Sequence, residues 1–249
     1  MVGRTFAIAN QKGGVGKTTT CINLASGAAK AGARTLLVDL DPQCNATTGL
    51  GLMPLQSHPL VAGVPLRNAV FPTAQSGLDV LPGSRSFRDV EALTRDDPDG
   101  AARVRHQLSA GLKAYDLVFL DCPPSLGPLT RTALAGASEV LMPIQCEYFA
   151  MEGLAQMIEV IRDVMDMPAV QLQFGGILLT MYDHTLELTH EVEHEVREFF
   201  GEIVFHTVIP RDVAVAEAPS HGKSVIDYAP RARGARAYVE LCMEVLERD

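Results

Sequence analysis

The sequence predicts an α/β fold: one doubly wound, mostly parallel sheet with helices on both faces. Three observations predict it. Short continuous apolar runs alternate with amphipathic helical patterns, without internal repeat or low-complexity linker; that alternation marks parallel strands joined by crossover helices. A glycine-rich loop follows the first apolar run and opens a helical pattern. A later apolar run ends in an aspartate. In an open parallel sheet, ligands gather at the carboxyl ends of the strands, and both features fall there.

Phe6-Ala7-Ile8-Ala9 reads as the first buried strand, and Cys21, Leu24, Ala25 and Ala28 mark a helix of small residues after it. Between them stands Lys12-Gly13-Gly14-Val15-Gly16-Lys17-Thr18-Thr19. Strand, glycine loop and helix form the context of a phosphate-binding loop. The glycines let backbone N–H groups turn inward, and the helix N-terminus adds positive potential. In that reading Lys17 reaches the β- and γ-phosphates and the Thr18 hydroxyl holds Mg²⁺. The fit to G-x-x-x-x-G-K-[ST] is not strict: Gln11 stands at the first glycine position, and a second lysine, Lys12, opens the loop.

Thr35-Leu36-Leu37-Val38 predicts a second buried strand, closing on Asp39-Leu40-Asp41-Pro42-Gln43. Asp before Pro is also a common turn residue; the phosphate loop upstream favours placing these carboxylates at the ligand edge. Residues 49–76 lack a period and read as loops with a short helix around Leu66 to Val70. Leu78-Asp79-Val80-Leu81 is a short strand, and residues 85–95 and 101–114 read as helices split by an acidic turn at 96–100. Residues 116–121 form an apolar strand ending at Asp121, a Walker B arrangement that would hold Mg²⁺ opposite Thr18. Cys122, which follows, reads as a packed thiol rather than an iron–sulfur ligand, because it has no spaced partners.

Residues 140–144 are another buried strand, followed by a helix with Leu154, Met157, Ile158, Ile161 and Met165 on its apolar face. Residues 176–180 and 204–209 are read as strands, separated by an acidic helix at 187–198. The last helix buries Tyr238, Leu241, Cys242 and Val245.

The 249 residues, 47% hydrophobic and 20% charged, suit one α/β domain spanning 1–249 with a full core. Net charge is −9, so attraction to DNA or anionic membrane requires a local basic patch. Five cysteines without C-x-x-C spacing read as reduced cytosolic thiols. The N-terminal apolar run is too short for a signal peptide, and no stretch is long enough to span a bilayer.

Four stretches together resemble the ParA/MinD family of deviant Walker A ATPases, in its short, chromosomal, Soj-like type. They are residues 10–19, Asp39-Leu40-Asp41-Pro42-Gln43, Asp121-Cys122-Pro123-Pro124-Ser125-Leu126-Gly127, and Glu217-Ala218-Pro219-Ser220-His221-Gly222-Lys223. The resemblance covers nearly the whole chain and is weakest over residues 53–99. It implies slow ATP hydrolysis with Mg²⁺, used as a switch, and a homodimer that sandwiches two ATP molecules. Lys12 matches the signature lysine that reaches the partner's phosphates, and Asp41 matches the residue that orients the attacking water. The implied catalytic set is Lys12, Lys17 and Asp41, with Thr18, Asp121 and Asp41 as candidate metal ligands. Pro124 and Glu147 match the dimer interface beside Lys12. Thr180, Met181, Pro210, Arg211 and Asp212 match segments that line the adenine, although the family often has Asn where Asp212 stands. Cys44 replaces a glycine usual after Asp-Pro-Gln.

The resemblance further implies a cytoplasmic protein, nucleoid-associated if DNA binding is retained, acting in chromosome or plasmid partition or in positioning a cargo, with a ParB-like partner that stimulates hydrolysis. MinD-type relatives end in a basic amphipathic helix that lies on membrane; here the chain ends in Glu244-Val245-Leu246-Glu247-Arg248-Asp249, so no membrane attachment is expected. Family members grip DNA through basic residues near 181–187 and after Ile209-Pro210-Arg211. This chain offers Glu187, Glu191, Glu193, Glu195 and Glu198 against Arg197 in the first region, and Ala214 in the second. The remaining DNA candidates are Lys223, Arg231, Arg233 and Arg236, which read equally as a solvated helix end. Three other functions compete: a relative of the nitrogenase iron protein, which would need paired cysteines; a small-molecule kinase; and a scaffold that uses ATP only to dimerise.

Overall fold

The structure, a computed structural model, describes residues 3–96, 102, 104–108, 114–148 and 150–248. Its strands are β1 (Arg4–Ile8), β2 (Thr35–Asp39), β3 (Phe71–Pro72), β4 (Leu78–Leu81), β5 (Leu117–Asp121), β6 (Glu139–Gln145) and β7 (Gln173–Thr180). They form one seven-stranded sheet in the order β3-β4-β2-β5-β1-β6-β7. All neighbours are parallel except β3, which pairs antiparallel with β4 at the edge. From β1 the chain crosses to β2 on one side, and from β5 it crosses to β6 on the other. The carboxyl ends of β1 and β5 therefore flank the switch point, where such sheets bind ligands.

The helices are α1 (Lys17–Lys30), α2 (Asn45–Gly49), α3 (Pro59–Ala62), α4 (Phe87–Asp96), α5 (Pro128–Gly136), α6 (Ala150–Met165), α7 (Glu187–Phe200), α8 (Val213–Glu217), α9 (Val225–Tyr228) and α10 (Arg233–Glu247). Central strands bury both faces, which explains their unbroken apolar runs. Ala7, Leu36, Val38, Val118 and Leu120 face Leu134, Leu154, Met157 and Val196 of α5, α6 and α7. Their neighbours Phe6, Ile8, Leu37 and Phe119 face Leu24 and Ala28 of α1 and Tyr238, Leu241 and Val245 of α10. The Phe6 and Phe119 rings stack at 5.3 Å across β1 and β5, fixing the two strands that carry the site.

Several expectations are corrected. Residues 204–209 are not a strand. Val204 bridges Ile177, and Phe205 N and Ile209 N donate to Ile177 O and Leu179 O of β7, but between them the amides of His206 and Thr207 donate to the Glu244 carboxylate of α10, so no continuous ladder forms. Met165 is 42% exposed, because Val160 and Val164 take the buried positions at the end of α6. The helix expected at Leu66 to Val70 is a single 3-10 turn, Leu66–Asn68. Within 53–76, α3 and β3 lack the period that marks longer elements; β3 carries Pro72, tolerated at a sheet edge. The helix expected at 85–95 is α4, beginning two residues later. Of 101–114, residues 102 and 104–108 are helical; most of the remainder, and residues 97–100 of the acidic turn, lie outside the described residues.

Candidate nucleotide site

The loop between β1 and α1 is shaped by glycine. Gly14 has φ 77° and Gly16 φ 91°, a left-handed conformation that costs other residues energy. Gly16 is the residue before α1 and supplies no side-chain cap. The first N–H groups of α1, from Lys17, Thr18 and Thr19, are thus left for an anion. Asn10 braces the loop: its Nδ2 donates to Pro143 O (2.8 Å) and its Oδ1 accepts from Lys12 N (2.9 Å). Thr180 Oγ1 lies 2.9 Å from both Val15 O and Ile144 O, so its single proton ties the loop to β6.

Lys17 is buried, and its ammonium donates to Lys12 O at 2.8 Å. Burial pulls its pKa below the ordinary lysine value, against the carboxylates of Asp121 and Asp41, which raise it. Thr18 Oγ1 donates to Asp121 Oδ2 at 2.8 Å. Asp121 is fully buried and, among the described residues, its Oδ1 has no partner. Burial first, and then the nearby Asp39 carboxylate, push the Asp121 pKa well above the carboxylate range. A hydroxyl paired with a carboxylate that keeps one oxygen free is a hard-oxygen donor set, and it fits Mg²⁺. Asp41 is buried beside it, its Oδ1 accepting from Gln43 N at 2.9 Å.

The expected base-binding residues come together in a cavity of about 230 Å³ beside the loop, where Thr180, Met181, Pro210, Arg211 and Asp212 meet Gly16 and Thr19. Ile209, with Val215 and Ala216 of α8 and Tyr238 of α10, completes its lining. Asp212 caps two helices at once: Oδ1 accepts from Ala214 N (2.9 Å) and Oδ2 from Gly234 N (2.8 Å). Two acceptor oxygens suit that double cap better than the single oxygen of an asparagine.

Two of the interface candidates, Lys12 and Glu147, meet. Lys12 Nζ lies 2.5 Å from Glu147 Oε2 of the same chain, outside the loop that holds Lys17. Both side chains are nearly half exposed, and Pro124 is exposed. Lys223, Arg231, Arg233 and Arg236 are exposed before and along the start of α10, and among the described residues none pairs with a carboxylate. On α7, by contrast, Arg197 is held by Glu193, which also accepts from the Tyr182 hydroxyl. All five cysteines are free and buried; burial pushes the Cys122 thiol far above its usual value, the mark of a packed thiol.

Sequence reasoning missed what holds Asp41 in place. Asp39, fully buried at the end of β2, accepts from Asp41 N (3.2 Å), Thr47 N (2.8 Å) and Thr47 Oγ1 (2.6 Å). The motif named Asp39; its partners are set by tertiary contact.

A glycine loop feeding α1, a threonine–aspartate pair with one free carboxylate oxygen and an adjoining cavity at the switch point have the layout of a P-loop nucleoside-triphosphate-binding protein. A family model described as "AAA domain" matches residues 3–174. The chromosome-partitioning ATPase Soj of Thermus thermophilus is 47% identical, over 98% of this chain and 96% of its own length. The sporulation initiation inhibitor protein Soj of Bacillus subtilis is 43% identical over 98% of both chains. Among solved structures, cobyrinic acid a,c-diamide synthase of Mycobacterium smegmatis, with bound ADP and magnesium, superimposes with TM-score 0.83 at 32% identity, covering 98% of this chain and 94% of that one. The chain belongs to the Soj/ParA family of ATPases.

Proposed function

We propose that the chain is a Mg²⁺- and ATP-dependent switch that dimerises on ATP and acts in chromosome or plasmid partition. The observation that carries this reading is the placement of its two loop lysines. Lys17 is buried against the loop carbonyl of Lys12, whereas the Lys12 ammonium points away onto half-exposed Glu147. A cation held outside its own phosphate site by a solvent-exposed pair is cheap to redirect, and a partner subunit's phosphates are a stronger acceptor. Pro124 and Glu147 lie on the face that such a partner would cover.

The chain's own groups divide the work. The α1 N-terminus and Lys17 bind the phosphates; Thr18 and Asp121, with Asp41 nearby, would hold Mg²⁺, which neutralises charge on the β- and γ-oxygens. The Asp41 carboxylate accepts a proton from, and so orients, the attacking water. The cavity of Thr180, Met181, Pro210, Arg211 and Asp212 takes the base.

Whole-length relatives named as chromosome-partitioning proteins support the partition role, and with it a cytoplasmic location and a ParB-like activating partner. No described helix is long and apolar enough to cross a membrane. Lys223, Arg231, Arg233 and Arg236 are the proposed DNA contact. A second reading, a switch that positions a protein cargo without strong DNA binding, is favoured by the acidic α7 and by Arg197 being neutralised there.

Light scattering tests the reading: ATP with Mg²⁺ gives a dimer and ADP a monomer. Basal turnover is expected far below the median enzyme rate of about 10 s⁻¹. Turnover at that median rate without a partner contradicts the switch and favours the small-molecule kinase.

A further inference from the structure

The loop that carries Asp41 is closed by one buried carboxylate. Asp39 Oδ1 accepts from Asp41 N at the start of the loop, and Asp39 Oδ2 accepts from Thr47 N and Thr47 Oγ1 at its far end. Having donated its proton to Asp39, the Thr47 hydroxyl accepts a hydrogen bond from Gly83 N at 2.7 Å, just past the end of β4. Thr47 and Asp39 are both fully buried, and the Thr47 hydroxyl and both Asp39 oxygens are all hydrogen-bonded. Gly83 fits tightly: an added Cβ there would lie 3.0 Å from Asp39 Cγ and 3.0 Å from Cys44 Sγ.

This arrangement does more than tie α2 to Asp39, because the backbone amide of Thr47 already performs that role on Asp39 Oδ2. The hydroxyl adds a cross-link from Asp39 to the β4 exit. Asp39 pairs in register with Asp121 at the ends of β2 and β5, so its orientation is set against like charge and must be held by donors. Leu55 N donates to Gly83 O at 2.9 Å, which fastens the same point to the segment after α2. Within the loop, Cys44 sits in the left-handed region at φ 56°, and its amide bonds back to Asp41 O.

The geometry points to Thr47 as a positioning residue for hydrolysis: its hydroxyl, bridging Asp39 and Gly83, holds the Asp41 loop in register with the phosphate site. It acts through Asp39 and the Asp41 backbone, not on nucleotide. The inference rests on the proposed role of Asp41 in orienting water.

The test is Thr47→Val, which keeps shape and removes the hydroxyl, beside Thr47→Ser, which keeps it. Thr47→Val is expected to lower the kcat of ATP hydrolysis about ten- to a hundredfold, the scale for a misplaced reactive group. ATP affinity and ATP-driven dimerisation stay within about threefold of wild type, on the scale of losing no direct phosphate contact. Thr47→Ser restores kcat. Wild-type kcat in Thr47→Val overturns the inference, as does a parallel loss of kcat and affinity, or a failure of Thr47→Ser to rescue. If Thr47→Val does not fold, Gly83→Ala decides: the methyl presses on Asp39 while the Gly83 N–H remains, so kcat falls with affinity kept, and an unchanged kcat overturns the inference. Asp41→Ala, assayed alongside, separates the two claims. If it hydrolyses ATP normally, the Asp41 assignment fails and takes this one with it; if it is slow while Thr47→Val is not, only the Thr47 role fails.

Discussion

The phosphate edge and the outer face around α10 both carry clustered charge, and they differ in burial. At the edge, Lys17, Asp39, Asp41 and Asp121 are packed together out of water, with each position set by named hydrogen bonds. On the outer face, Lys223, Arg231, Arg233 and Arg236 extend into solvent. Burying like charges together is expensive, so a chain that keeps them does so for a ligand that neutralises them. Solvated cations cost little to keep, and their presence alone commits the surface to nothing. The contrast teaches where a sequence motif implies chemistry and where it implies only a tendency.

The largest expected effect lies at the edge. Lys17→Ala should weaken ATP binding on the order of 10- to 150-fold, the equivalent of one charge-assisted hydrogen bond of about 1.5–3 kcal/mol; calorimetric titration measures it. Asp41→Ala should still bind ATP and dimerise yet hydrolyse it about 10²-fold more slowly, the low end for a positioned base, as single-turnover assays would show. An Asp41→Ala enzyme with normal turnover would place the water-orienting group elsewhere.

On the outer face the effect should be small. Arg233→Glu/Arg236→Glu should weaken binding of the ATP-bound dimer to random duplex and flatten its salt dependence, by about 0.9 in log–log slope for each phosphate no longer neutralised. Tight binding that survives the change removes the patch from consideration. No wild-type binding at low salt favours the cargo-positioning reading.

A further test uses pH without nucleotide. Burial, together with the neighbouring Asp41 carboxylate and against the Thr47 hydrogen bonds, raises Asp39 to about 6 from 3.8. The folded chain then binds more protons than the unfolded chain between those values, so this group's contribution to stability rises as pH falls from about 7 to 4. Burial lowers His58 to about 3, which acts in the opposite direction over much of that range. The quantity to measure is the stability difference between wild type and Asp39→Asn, by urea denaturation at pH 7.5 and pH 5; it reads Asp39 together with Asp121, whose carboxyl Asp39 pushes up. It should move in favour of wild type at pH 5; a pH-independent difference would mean that Asp39 stays ionised.

The edge was legible where its signals are local. The loop from Lys12 to Thr19 and the strand ending at Asp121 are contiguous, and two-faced burial leaves unbroken apolar runs that need no partner to be recognised. That Thr180 and Asp212 line one cavity was legible only through resemblance, since they lie far apart in sequence and on different elements. Bracing by Asn10, Thr180 and Thr47 was hidden because it depends on pairings such as Thr47 with Gly83, which no periodicity marks. Residues 204–209 misled for a related reason: an apolar stretch beside β7 looks like a strand, and Phe205 and Ile209 do donate to β7 carbonyls, but Glu244 on α10 takes the amides of His206 and Thr207 between them. Met165 shows the limit of helical spacing near a helix end, where burial turns to Val164.

In the proposed switch, ATP closes two copies of this chain face to face, with Lys12 leaving Glu147 for the partner's phosphates. Light scattering of Lys12→Ala with saturating ATP and Mg²⁺, beside a direct measurement of ATP binding to the same variant, tests it most directly. Lys12→Ala is expected to bind ATP with near wild-type affinity and stay monomeric, while wild type is dimeric. A Lys12→Ala protein that dimerises on ATP as wild type does would contradict it.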